Sequence, residues 1–433
     1  MRDFARSDSA AVQAQLDRLG RLSVPEGRLG LDTIRALLER LGNPHLTLPP
    51  VFHVAGTNGK GSTCAFLRAM LEAQGYTVHV TTSPHLVRYN ERIRVAGELI
   101  SDERLAQVLA EVLDAGEDLD PSFFEVTIAA AFTEFARVPA DACVIEVGLG
   151  GRFDATNVLP PQAIAACGIA ALGIDHERFL LAPEEGTPEE PIARIAFEKA
   201  GIAKPGVPLV TIGGYPPAAR EAISEVAESR QARLIEAGSD WSIGEQEGDF
   251  YRDERGSIAL PALRLPGAHQ YRNAGLALAM IRHQQRLRVT DDALVLGMQD
   301  ASWPGRLHTL DEGPLTSLVG GRRILLDGGH NRSAGEAIAH AVGSQFHLIL
   351  GMLANKDPRS LLDPLEGRLR SLQIVPVPGH DHHGPEAFGD GATAATDVEQ
   401  ALAAIASDGH PILIAGSLYL AGEVLRLNGE LPT

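Results

Sequence analysis

The amino-acid sequence predicts an α/β protein of two domains, a large domain built on a mostly parallel sheet and a smaller C-terminal Rossmann-like α/β domain. Short strand-like runs alternate with amphipathic helical stretches along the 433 residues. The runs are apolar on both faces, which is typical of parallel strands covered by helices. A second series of such runs follows a Trp-Pro-Gly turn at 303–305, and the chain is long enough for two cores.

The first series predicts helices and central strands in alternation. Leucine and isoleucine recur at helical spacing over 31–41, and leucine and valine do so over 105–113. The strand-like runs between helices read VFHVAG, ACVIEVG, IAACGIAAL and VPLVTIG. We therefore assign residues 1–301 to the large domain, with an N-terminal helical arm ahead of its first strand.

The second series predicts the smaller domain, residues 302–433. Helical stretches such as VEQALAAIA follow its strand-like runs. Those runs read RRILLDGGHN, FHLILGM, LQIVPV and HPILIAGS.

Composition narrows the possible partners. The chain carries 56 acidic and 38 basic side chains, a net charge of −18, which disfavours binding to the nucleic-acid backbone. An anionic substrate must therefore meet local positive charge or a metal ion. No apolar run reaches the roughly 18 residues of a membrane span, and the first residues lack the pattern of an export signal. We expect a cytoplasmic protein with no membrane or nucleic-acid partner.

The stretch VAGTNGKGST, residues 54–63, has the features of a phosphate-binding loop between a strand and a helix. It departs from the usual G-x-x-x-x-G-K-[ST] pattern because Gly61 separates Lys60 from Ser62. Glycines let the backbone approach phosphate oxygens, and the helix N-terminus adds positive potential. The same residues would also suit a plain strand-to-helix turn, so the loop alone leaves both interpretations open.

Three other segments carry polar side chains at places where a ligand would lie. Glu146 ends an apolar strand and precedes a glycine-rich turn, and Asp175 and His176 end another. In a parallel sheet, ligands bind in the crevice outside the carboxyl ends of the strands. Lys199 lies in an otherwise apolar helical segment. Taken one by one, the carboxylate and the imidazole could be structural, and the lysine could be exposed.

Together these stretches resemble the folylpolyglutamate synthase/dihydrofolate synthase family in its bifunctional bacterial form, a branch of the Mur-ligase superfamily of ATP-dependent amide-forming enzymes. The resemblance covers nearly the whole chain. The matching motifs are, in order, GLDTIRALLERLGNP, VAGTNGKGST, TSPHLVRYNERIRV, SFFEVTIAAAF, EVGLGGRFDATN, DH, EKAGIAK, HQYRNAGLALA, WPGR, LDGGHN, NKD and AGSLYLAG.

The resemblance implies an ATP site with magnesium, and we expect two Mg²⁺ ions. The positions implied for ATP are Thr57, Asn58, Gly59, Lys60, Gly61, Ser62, Asn273, Arg306 and Asp327. Those implied for the metal are Ser83, Glu146 and His176. Lys199 matches the lysine that the family carbamylates, and it joins Lys60, Glu146 and His176 in the implied catalytic set.

The resemblance also implies where the other two substrates bind. The pterin positions are Ser122, Phe123, Phe124, Glu125, Arg152, Phe153, Asp154 and Ala155. His330 and Ser417 are implied for glutamate. The implied reaction is phosphorylation of a substrate carboxylate by ATP, followed by attack of the glutamate amine on the acyl phosphate. We expect a monomer that closes its two domains to exclude water, with Arg306 at the hinge.

One segment departs from the family pattern. The chain is several residues longer than the usual spacing between His176 and Lys199, and the excess reads LAPEEGTPEEP, residues 181–191. We expect an exposed acidic loop there.

Two other functions stay open at this point. A cell-wall Mur ligase would add an amino acid to a nucleotide-linked sugar, and a regulatory nucleotide switch would bind ATP without a second substrate. Within the favoured family, the enzyme could use dihydropteroate, folates, or both; the segments SFFE and FDA favour both.

Overall fold

A computed structural model describes residues 6–22, 30–174, 177–343 and 345–432. The chain forms two compact units. Unit 1 comprises Met1–Ser83, Tyr89–Arg264 and Gln270–Ser302, and unit 2 comprises Pro84–Arg88, Leu265–His269 and Trp303–Thr433. Two short segments of unit 2 therefore lie within the stretch of sequence that otherwise forms unit 1.

Unit 1 combines helices with two sheets. Its helices are α1 (Ala10–Leu19), α2 (Asp32–Arg40), α3 (Lys60–Ala73), α4 (Asp102–Gly116), α5 (Phe123–Arg137), α6 (Glu177–Leu180), α7 (Pro191–Ala200), α8 (Pro217–Ser229), α9 (Ala268–His283) and α10 (Asp291–Asp300). Its strands are β1 (Val51–Ala55), β2 (Val78–Thr81), β3 (Ile93–Val95), β4 (Glu98–Leu99), β5 (Ala142–Glu146), β6 (Ile164–Ile169), β7 (Pro208–Thr211), β8 (Arg233–Glu236), β9 (Trp241–Ile243), β10 (Phe250–Asp253) and β11 (Gly256–Ala259).

The large sheet of unit 1 has the strand order β4-β3-β2-β5-β1-β6-β7-β8. The six strands from β2 to β8 in this order pair in parallel, and β3 and β4 add an antiparallel edge. Strands β1 and β5 are neighbours in the sheet. The chain continues from β1 to β2, on one side of this pair, and from β5 to β6, on the other side. Such a switch in strand order opens a crevice at the carboxyl ends of the two strands, where α/β proteins bind ligands.

Burial explains why the strands read as continuous apolar runs. Every residue of β1, β5 and β6 is buried, because helices cover both faces of the sheet. The predicted helices over 31–41 and 105–113 form α2 and α4, whose leucines pack into the same core. The fold class predicted from the sequence is confirmed.

The sequence patterns missed the antiparallel parts of unit 1. Strands β9, β10 and β11 form a separate three-stranded antiparallel sheet, and β3 and β4 are equally short. These strands have two to four residues each, too few for an alternating pattern to stand out. Among the described residues, no helix is both long and apolar enough to cross a membrane.

Unit 2 is a smaller α/β unit. Its helices are α11 (Pro314–Leu318), α12 (Arg332–Val342), α13 (Pro358–Leu362), α14 (Val398–Ala404) and α15 (Leu418–Asn428). Its strands are β12 (His308–Thr309), β13 (Ile324–Leu326), β14 (Phe346–Leu350), β15 (Leu369–Ile374), β16 (Ala392–Ala394) and β17 (Ile412–Ala415). The sheet order is β12-β13-β17-β14-β15-β16, and every pair except β12–β13 is parallel.

The segment 84–88 completes the core of unit 2. Leu86 and Val87 pack against the apolar cluster beside α15. A Cβ atom at Gly422, in α15, would lie 1.8 Å from the carbonyl oxygen of Leu86, so only glycine fits there. The Arg88 guanidinium donates to the carbonyl of Pro432 at 3.3 Å.

Candidate functional site

The phosphate loop, residues 56–59, joins β1 to α3. Gly59 has a φ of 84°, a left-handed conformation that suits glycine, and it is the N-cap of α3. The first amides of a helix have no acceptor within the helix. Thr63 donates its N–H back to the carbonyl of Gly59 at 2.9 Å, so regular helical bonding begins there. The start of α3 therefore offers donors and partial positive charge suited to a phosphate.

Thr57 and Asn58 fix the loop on the segment that follows β6. Both backbone N–H groups donate to the carbonyl of Ala171, at 2.8 and 3.1 Å. The Thr57 hydroxyl donates to the carbonyl of Gly173 at 2.8 Å. These two amides are already bonded within the protein, whereas the amides of Lys60, Gly61 and Ser62, in the first turn of α3, have no acceptor within the helix. Ser62 lies in the first turn of α3 and is buried.

Lys60 and Lys199 converge on one carbonyl oxygen of this loop. The Nζ atom of Lys60 donates to the carbonyl of Gly56 at 3.2 Å, and the Nζ atom of Lys199 donates to the same oxygen at 3.0 Å. Lys199 is in α7 and only 4% exposed. The structure therefore brings to the phosphate loop a lysine that follows Gly56 by 143 residues in the chain.

Glu146 and Ser83 lie beside the phosphate loop. Glu146 is the last residue of β5 and is buried, and its Oε2 accepts the backbone N–H of Ser83 at 3.1 Å. Its Oε1 lies 4.0 Å from the Nζ atom of Lys60. A carboxylate and a neighbouring hydroxyl residue supply the oxygen ligands that Mg²⁺ prefers, so this pair fits a magnesium site. His176, the third residue predicted for the metal, lies outside the described residues, as does Asp175.

Asn273 lies directly against the phosphate loop. A Cβ atom at Gly59 would come within 2.4 Å of the Oδ1 atom of Asn273. The Asn273 amide donates to the side chain of Gln270 at 3.0 Å, which fixes its orientation. Gly59 is therefore required both by its backbone conformation and by the approach of this side chain.

A small pocket lies at this edge of the sheet, between the phosphate loop, the turn after β5 and Lys199. Its lining residues are Gly56, Thr57, Lys60, Val147, Gly148, Leu149, Gly150 and Lys199.

Of the residues predicted for the pterin, the first four open α5. Ser122 and Glu125 form a capping box: the Ser122 hydroxyl accepts the N–H of Glu125 at 3.2 Å, and the Glu125 carboxylate accepts the N–H of Ser122 at 2.8 Å. The sequence SFFE thus starts the helix, whatever else it does.

The two phenylalanines at this helix start have different surroundings. The ring of Phe124 covers Gly148 of the pocket so closely that a Cβ atom there would lie 2.4 Å from the ring. Phe123 meets the ring of Tyr89 edge-on at 5.6 Å and lies 5.4 Å from the guanidinium carbon of Arg92. Phe124 is therefore the one that reaches the pocket lining.

Asp154 organises the glycine-rich turn from within. One oxygen accepts the N–H of Leu149 at 2.8 Å, and the other accepts the N–H and hydroxyl of Thr156 at 3.0 and 2.5 Å. Burial raises the pKa of Asp154, although these hydrogen bonds oppose the rise. Ala155 follows it and is buried.

Arg152 makes contacts that the sequence did not foresee. Its guanidinium donates to both oxygens of Glu184, at 3.1 and 2.5 Å, and to both oxygens of Glu198, at 3.1 and 2.8 Å. It also lies 4.2 Å from the centre of the Phe153 ring. Glu184 and Glu198 were not among the predicted site residues. The position of Glu198 next to Lys199 could have pointed to it in the sequence. No comparable feature pointed to Glu184, which lies in the acidic loop that was expected to be exposed.

Unit 2 brings together its own predicted residues at the carboxyl end of β13. Asp327 accepts the N–H of Leu307 at 2.8 Å and the N–H of Gly329 at 2.7 Å. A Cβ atom at Gly328 would lie 3.4 Å from the Nη1 atom of Arg306, so the guanidinium lies over this turn.

His330 and Ser417 lie on neighbouring turns of unit 2. The Nδ1 atom of His330 lies 3.2 Å from the carbonyl of Gly328. Ser417 is the N-cap of α15, and its hydroxyl accepts the N–H of Tyr419 at 3.1 Å. The N–H of Gly416 donates to the carbonyl of Gly329 at 3.1 Å, which joins the turn after β17 to the turn after β13.

Comparison with known proteins finds relatives that match over most of the chain. No protein-family model matches the chain. The dihydrofolate synthetase of Saccharomyces cerevisiae is 33% identical over 436 aligned residues, which cover 93% of this chain and 98% of that protein. The dihydrofolate synthase/folylpolyglutamate synthase of Bacillus subtilis is 35% identical over 366 residues, or 78% of each protein. Among solved structures, Escherichia coli FolC in complex with DHPP and ADP matches with a TM-score of 0.84 and 29% identity, over 98% of both chains.

Proposed function

Because the chain belongs to the dihydrofolate synthase/folylpolyglutamate synthase family of ATP-dependent ligases, we propose that it is bifunctional: it joins L-glutamate to dihydropteroate and extends folates with further glutamates. ATP is converted to ADP and phosphate, with an acyl phosphate of the acceptor as intermediate. The observation that carries the proposal is the convergence of Lys60, Lys199 and Glu146 on one phosphate loop, beside a pocket.

We assign the phosphate chain of ATP to the start of α3. The unbonded first amides of α3 and the Lys60 ammonium offset the charge on the transferred phosphoryl group, which is a task of positioning and electrostatics. Thr57 and Asn58 shape the loop, and Asn273 supports Gly59 from behind. The remaining assignments to ATP are Gly61 and Ser62 in α3, and Arg306 and Asp327 in unit 2.

We assign Mg²⁺ to Ser83, Glu146 and His176, and we expect two ions. When bound, Mg²⁺ withdraws electron density from the phosphate oxygens and orients them. Glu146 is held for this task by the N–H of Ser83 and by Lys60.

We propose that Lys199 is carbamylated. Two ammonium groups share one carbonyl acceptor in a buried place, and carbamylation replaces one of these neighbouring positive charges with a negative one. The resulting carboxylate would lie within reach of the metal ligands.

The acceptor and the glutamate use the remaining predicted residues. We assign the pterin to the segments 122–125 and 152–155, and Phe124 is its best supported contact because its ring covers Gly148 of the pocket. We assign glutamate to His330 and Ser417, so that residues 1–301 act as the ATP-binding domain and 302–433 as the glutamate-ligase domain. Water must be excluded while the acyl phosphate exists, since it would otherwise hydrolyse.

The test is ADP release by the purified protein with ATP, Mg²⁺ and L-glutamate, in the presence of dihydropteroate, tetrahydrofolate or no acceptor. Release with both acceptors, together with a product heavier by one glutamate residue, is the expected result. Activity with one acceptor alone would reduce the proposal to a single synthase. Turnover only with a UDP-sugar peptide would indicate a cell-wall ligase, and ATP binding with no acceptor-dependent release would indicate a regulatory protein.

We further propose a cytoplasmic monomer that acts on small molecules only, without a nucleic-acid or membrane partner. The net charge of −18 supports the absence of a nucleic-acid partner. Sedimentation of the purified protein at the mass of one chain, 46.1 kDa, tests the monomer. Cell fractionation tests the location.

A further inference from the structure

The acidic loop, residues 181–190, is only partly the exposed segment that its composition predicts. Glu185, Glu189 and Glu190 are exposed. The side chain of Glu184 is instead 16% exposed, and it accepts hydrogen bonds from the guanidinium groups of both Arg152 and Arg194. One carboxylate of the loop therefore enters the protein, whereas its neighbours face solvent.

Arg194, in α7, holds the end of α6 at one point and this loop at two. Its Nε atom donates to the carbonyl of Leu180 at 3.1 Å, and its Nη2 atom donates to Glu184 at 3.0 Å. Its Nη1 atom donates to the hydroxyl of Thr187. The hydroxyl of Thr187 in turn donates to the carbonyl of Glu184 at 2.6 Å. The loop is thus a folded part of the structure that holds Glu184 in one place.

The four charged side chains form a nearly buried cluster, which we call the Arg–Glu cluster: Arg152, Glu184, Arg194 and Glu198. Both arginines contact both glutamates, at distances of 2.5 to 3.1 Å. The formal charges cancel. Without the Glu184 carboxylate, the two buried guanidinium groups would have one carboxylate partner among the described residues, Glu198, and the cluster would carry a net positive charge.

The Arg–Glu cluster adjoins Lys199 in sequence and in space. Glu198 precedes Lys199 in α7, and its carbonyl accepts the backbone N–H of Arg152 at 2.8 Å. A Cβ atom at Gly151 would lie 2.8 Å from the carbonyl of Glu198 and 2.9 Å from that of Lys199. The glycine-rich turn is therefore pressed against the last turn of α7, from which Lys199 reaches Gly56.

We propose that Glu184 is a positioning residue for the ligase reaction: by balancing Arg152 and Arg194, it fixes the end of α7 so that Lys199 stays at the phosphate loop. The inference rests on the proposed function, because it assumes that Lys199 takes part in that reaction as its carbamate. The carbamate forms when the neutral Lys199 amine attacks CO₂, with loss of one proton. A displaced α7 holds this carbamate less firmly, and a higher concentration of CO₂ then restores it by mass action.

The experiment compares Glu184→Gln with Glu185→Gln, which removes an exposed carboxylate from the adjacent position of the same loop. Kinetics are measured with ATP, L-glutamate and the acceptor that the wild type uses, in CO₂-depleted buffer and again with added bicarbonate. We expect E184Q to lose at least tenfold in kcat in depleted buffer, with KM values for ATP and acceptor within about twofold of the wild type. Added bicarbonate should recover much of this loss. E185Q and the wild type should have equal kcat values under both conditions.

Other results would overturn the inference. Equal kcat values for E184Q and E185Q would show that Glu184 has no positioning role. A loss in E184Q that bicarbonate does not change would show a structural role unrelated to the Lys199 carbamate. If E184Q does not fold, Glu184→Asp takes its place, because it keeps the charge on a shorter side chain. The same two measurements then apply: the loss of kcat in depleted buffer and its recovery with bicarbonate. A wild-type protein with no activity would refute the proposed function, and that outcome is distinct from any of these.

Discussion

At the scale of single residues, the site is defined by an excess of positive charge around the carbonyl oxygen of Gly56. Lys60 and Lys199 both donate to it, and Glu146 lies near Lys60. In a chain with a net charge of −18, the Lys60 ammonium supplies local positive charge for an anionic substrate such as ATP, and the charge at Lys199 depends on its carbamylation. Each lysine can be tested separately because each makes a different contribution.

Lys60→Ala should lower kcat by about a hundredfold or more, because it removes a positioned charge from the phosphoryl group in the transition state. The fold should be unaffected, since the Lys60 ammonium donates only weak bonds, at 3.2 and 3.5 Å, to loop carbonyls. The measurement is steady-state ADP release, with circular dichroism as the control. A kcat within threefold of the wild-type value would contradict the assignment of Lys60 to the γ-phosphate.

Lys199 should give a carbamate signal in a carbon-13 NMR spectrum after incubation of the protein with labelled bicarbonate. Lys199→Arg should lack that signal, since a guanidinium group does not form a carbamate under these conditions. Lys204→Arg serves as a control in the same segment, because Lys204 donates to the carbonyl of Asn157 and should not be modified. An identical spectrum for the wild type and K199R would argue against carbamylation.

The sequence predicted which residues gather at the site better than it predicted their partners. The loop residues and Glu146 meet because the carboxyl ends of β1 and β5 are adjacent, which strand patterns allow one to foresee, whereas Lys199 reaches the same loop from α7. The partners of Arg152 could not be foreseen, since Glu184 lies in a loop with no periodic pattern. For Ser122 and Glu125, the spacing of a capping box was present in the sequence, but the resemblance directed attention to the pterin.

At the scale of structural elements, the glycine-rich turn and α7 form one packed unit. Gly151 meets the carbonyls of Glu198 and Lys199, and a Cβ atom at Gly201 would lie 2.5 Å from the Cβ atom of Arg152. Gly151 and Gly201 therefore allow the turn and the helix to approach each other.

Gly151→Ala should therefore move α7 away from the turn. We expect a loss of about 1–3 kcal/mol in the free energy of unfolding, as for an overpacked core, and a fall of about tenfold or more in kcat as Lys199 is displaced. Urea denaturation and ADP release measure the two effects. Gly391→Ala is the matched control, because no atom lies within 4 Å of a Cβ atom at that position. Unchanged stability and activity in G151A would mean that the turn does not hold α7.

The antiparallel sheet of β9–β11 is attached to α9 by a buried ion pair. The guanidinium of Arg282 donates to both oxygens of Asp253, at 2.7 and 2.8 Å, and the Asp253 side chain is fully buried. Burial tends to raise the pKa of Asp253, but the bonds from Arg282 and its other donors outweigh burial and hold that pKa below its ordinary value.

Arg282→Met should lower the free energy of unfolding by about 3–5 kcal/mol near neutral pH, because it leaves a buried carboxylate without its partner. Arg272→Met, on the same helix, removes an exposed pair with Glu245 and should cost less than about 1 kcal/mol. Urea denaturation followed by the fluorescence of buried Trp241, in a Trp303→Phe background, measures both.

The cost of R282M should also depend on pH. Because the folded pKa of Asp253 is lowered, the stability that the pair contributes is complete above the unfolded pKa, about 4, and is lost as the pH falls through the folded pKa. The difference between wild type and R282M should therefore be constant between about pH 7 and about pH 5 and should narrow as the pH falls below about 4. A difference that does not narrow below about pH 4 would mean that the Asp253 carboxylate is not what Arg282 stabilises.

At the scale of the whole molecule, ligand binding should be visible as a gain in stability. A ligand that binds only the folded protein adds about 2.7 kcal/mol at a hundredfold excess over its Kd. The non-hydrolysable analogue AMPPNP should raise Tm when Mg²⁺ is present and much less when EDTA replaces it. Lys60→Ala should show a smaller rise. An equal rise with EDTA would show that nucleotide binding at this site does not need the metal residues Glu146 and Ser83.

The overall architecture followed from the sequence because buried parallel strands leave continuous apolar runs and amphipathic helices leave periodic patterns. The buried strands β1, β5 and β6, and their counterparts β13, β14 and β17 in unit 2, were all present as apolar runs. No feature of the sequence indicated that Pro84–Arg88 and Leu265–His269 belong to unit 2. Each segment has five residues, and neither contains a complete helix or strand that a pattern could reveal.

The segment Pro84–Arg88 has a consequence for the synthesis of the protein. Leu86 leaves the ribosome long before Gly422, the residue against which its carbonyl packs, and at about 5–20 residues per second this interval lasts tens of seconds. During that time, unit 1 can begin to fold while Pro84–Arg88 still lacks its partner in α15, which has not yet been synthesised. Unit 2 acquires its full core only when translation is nearly finished. A chain truncated before α15 would therefore leave an early segment without its partner.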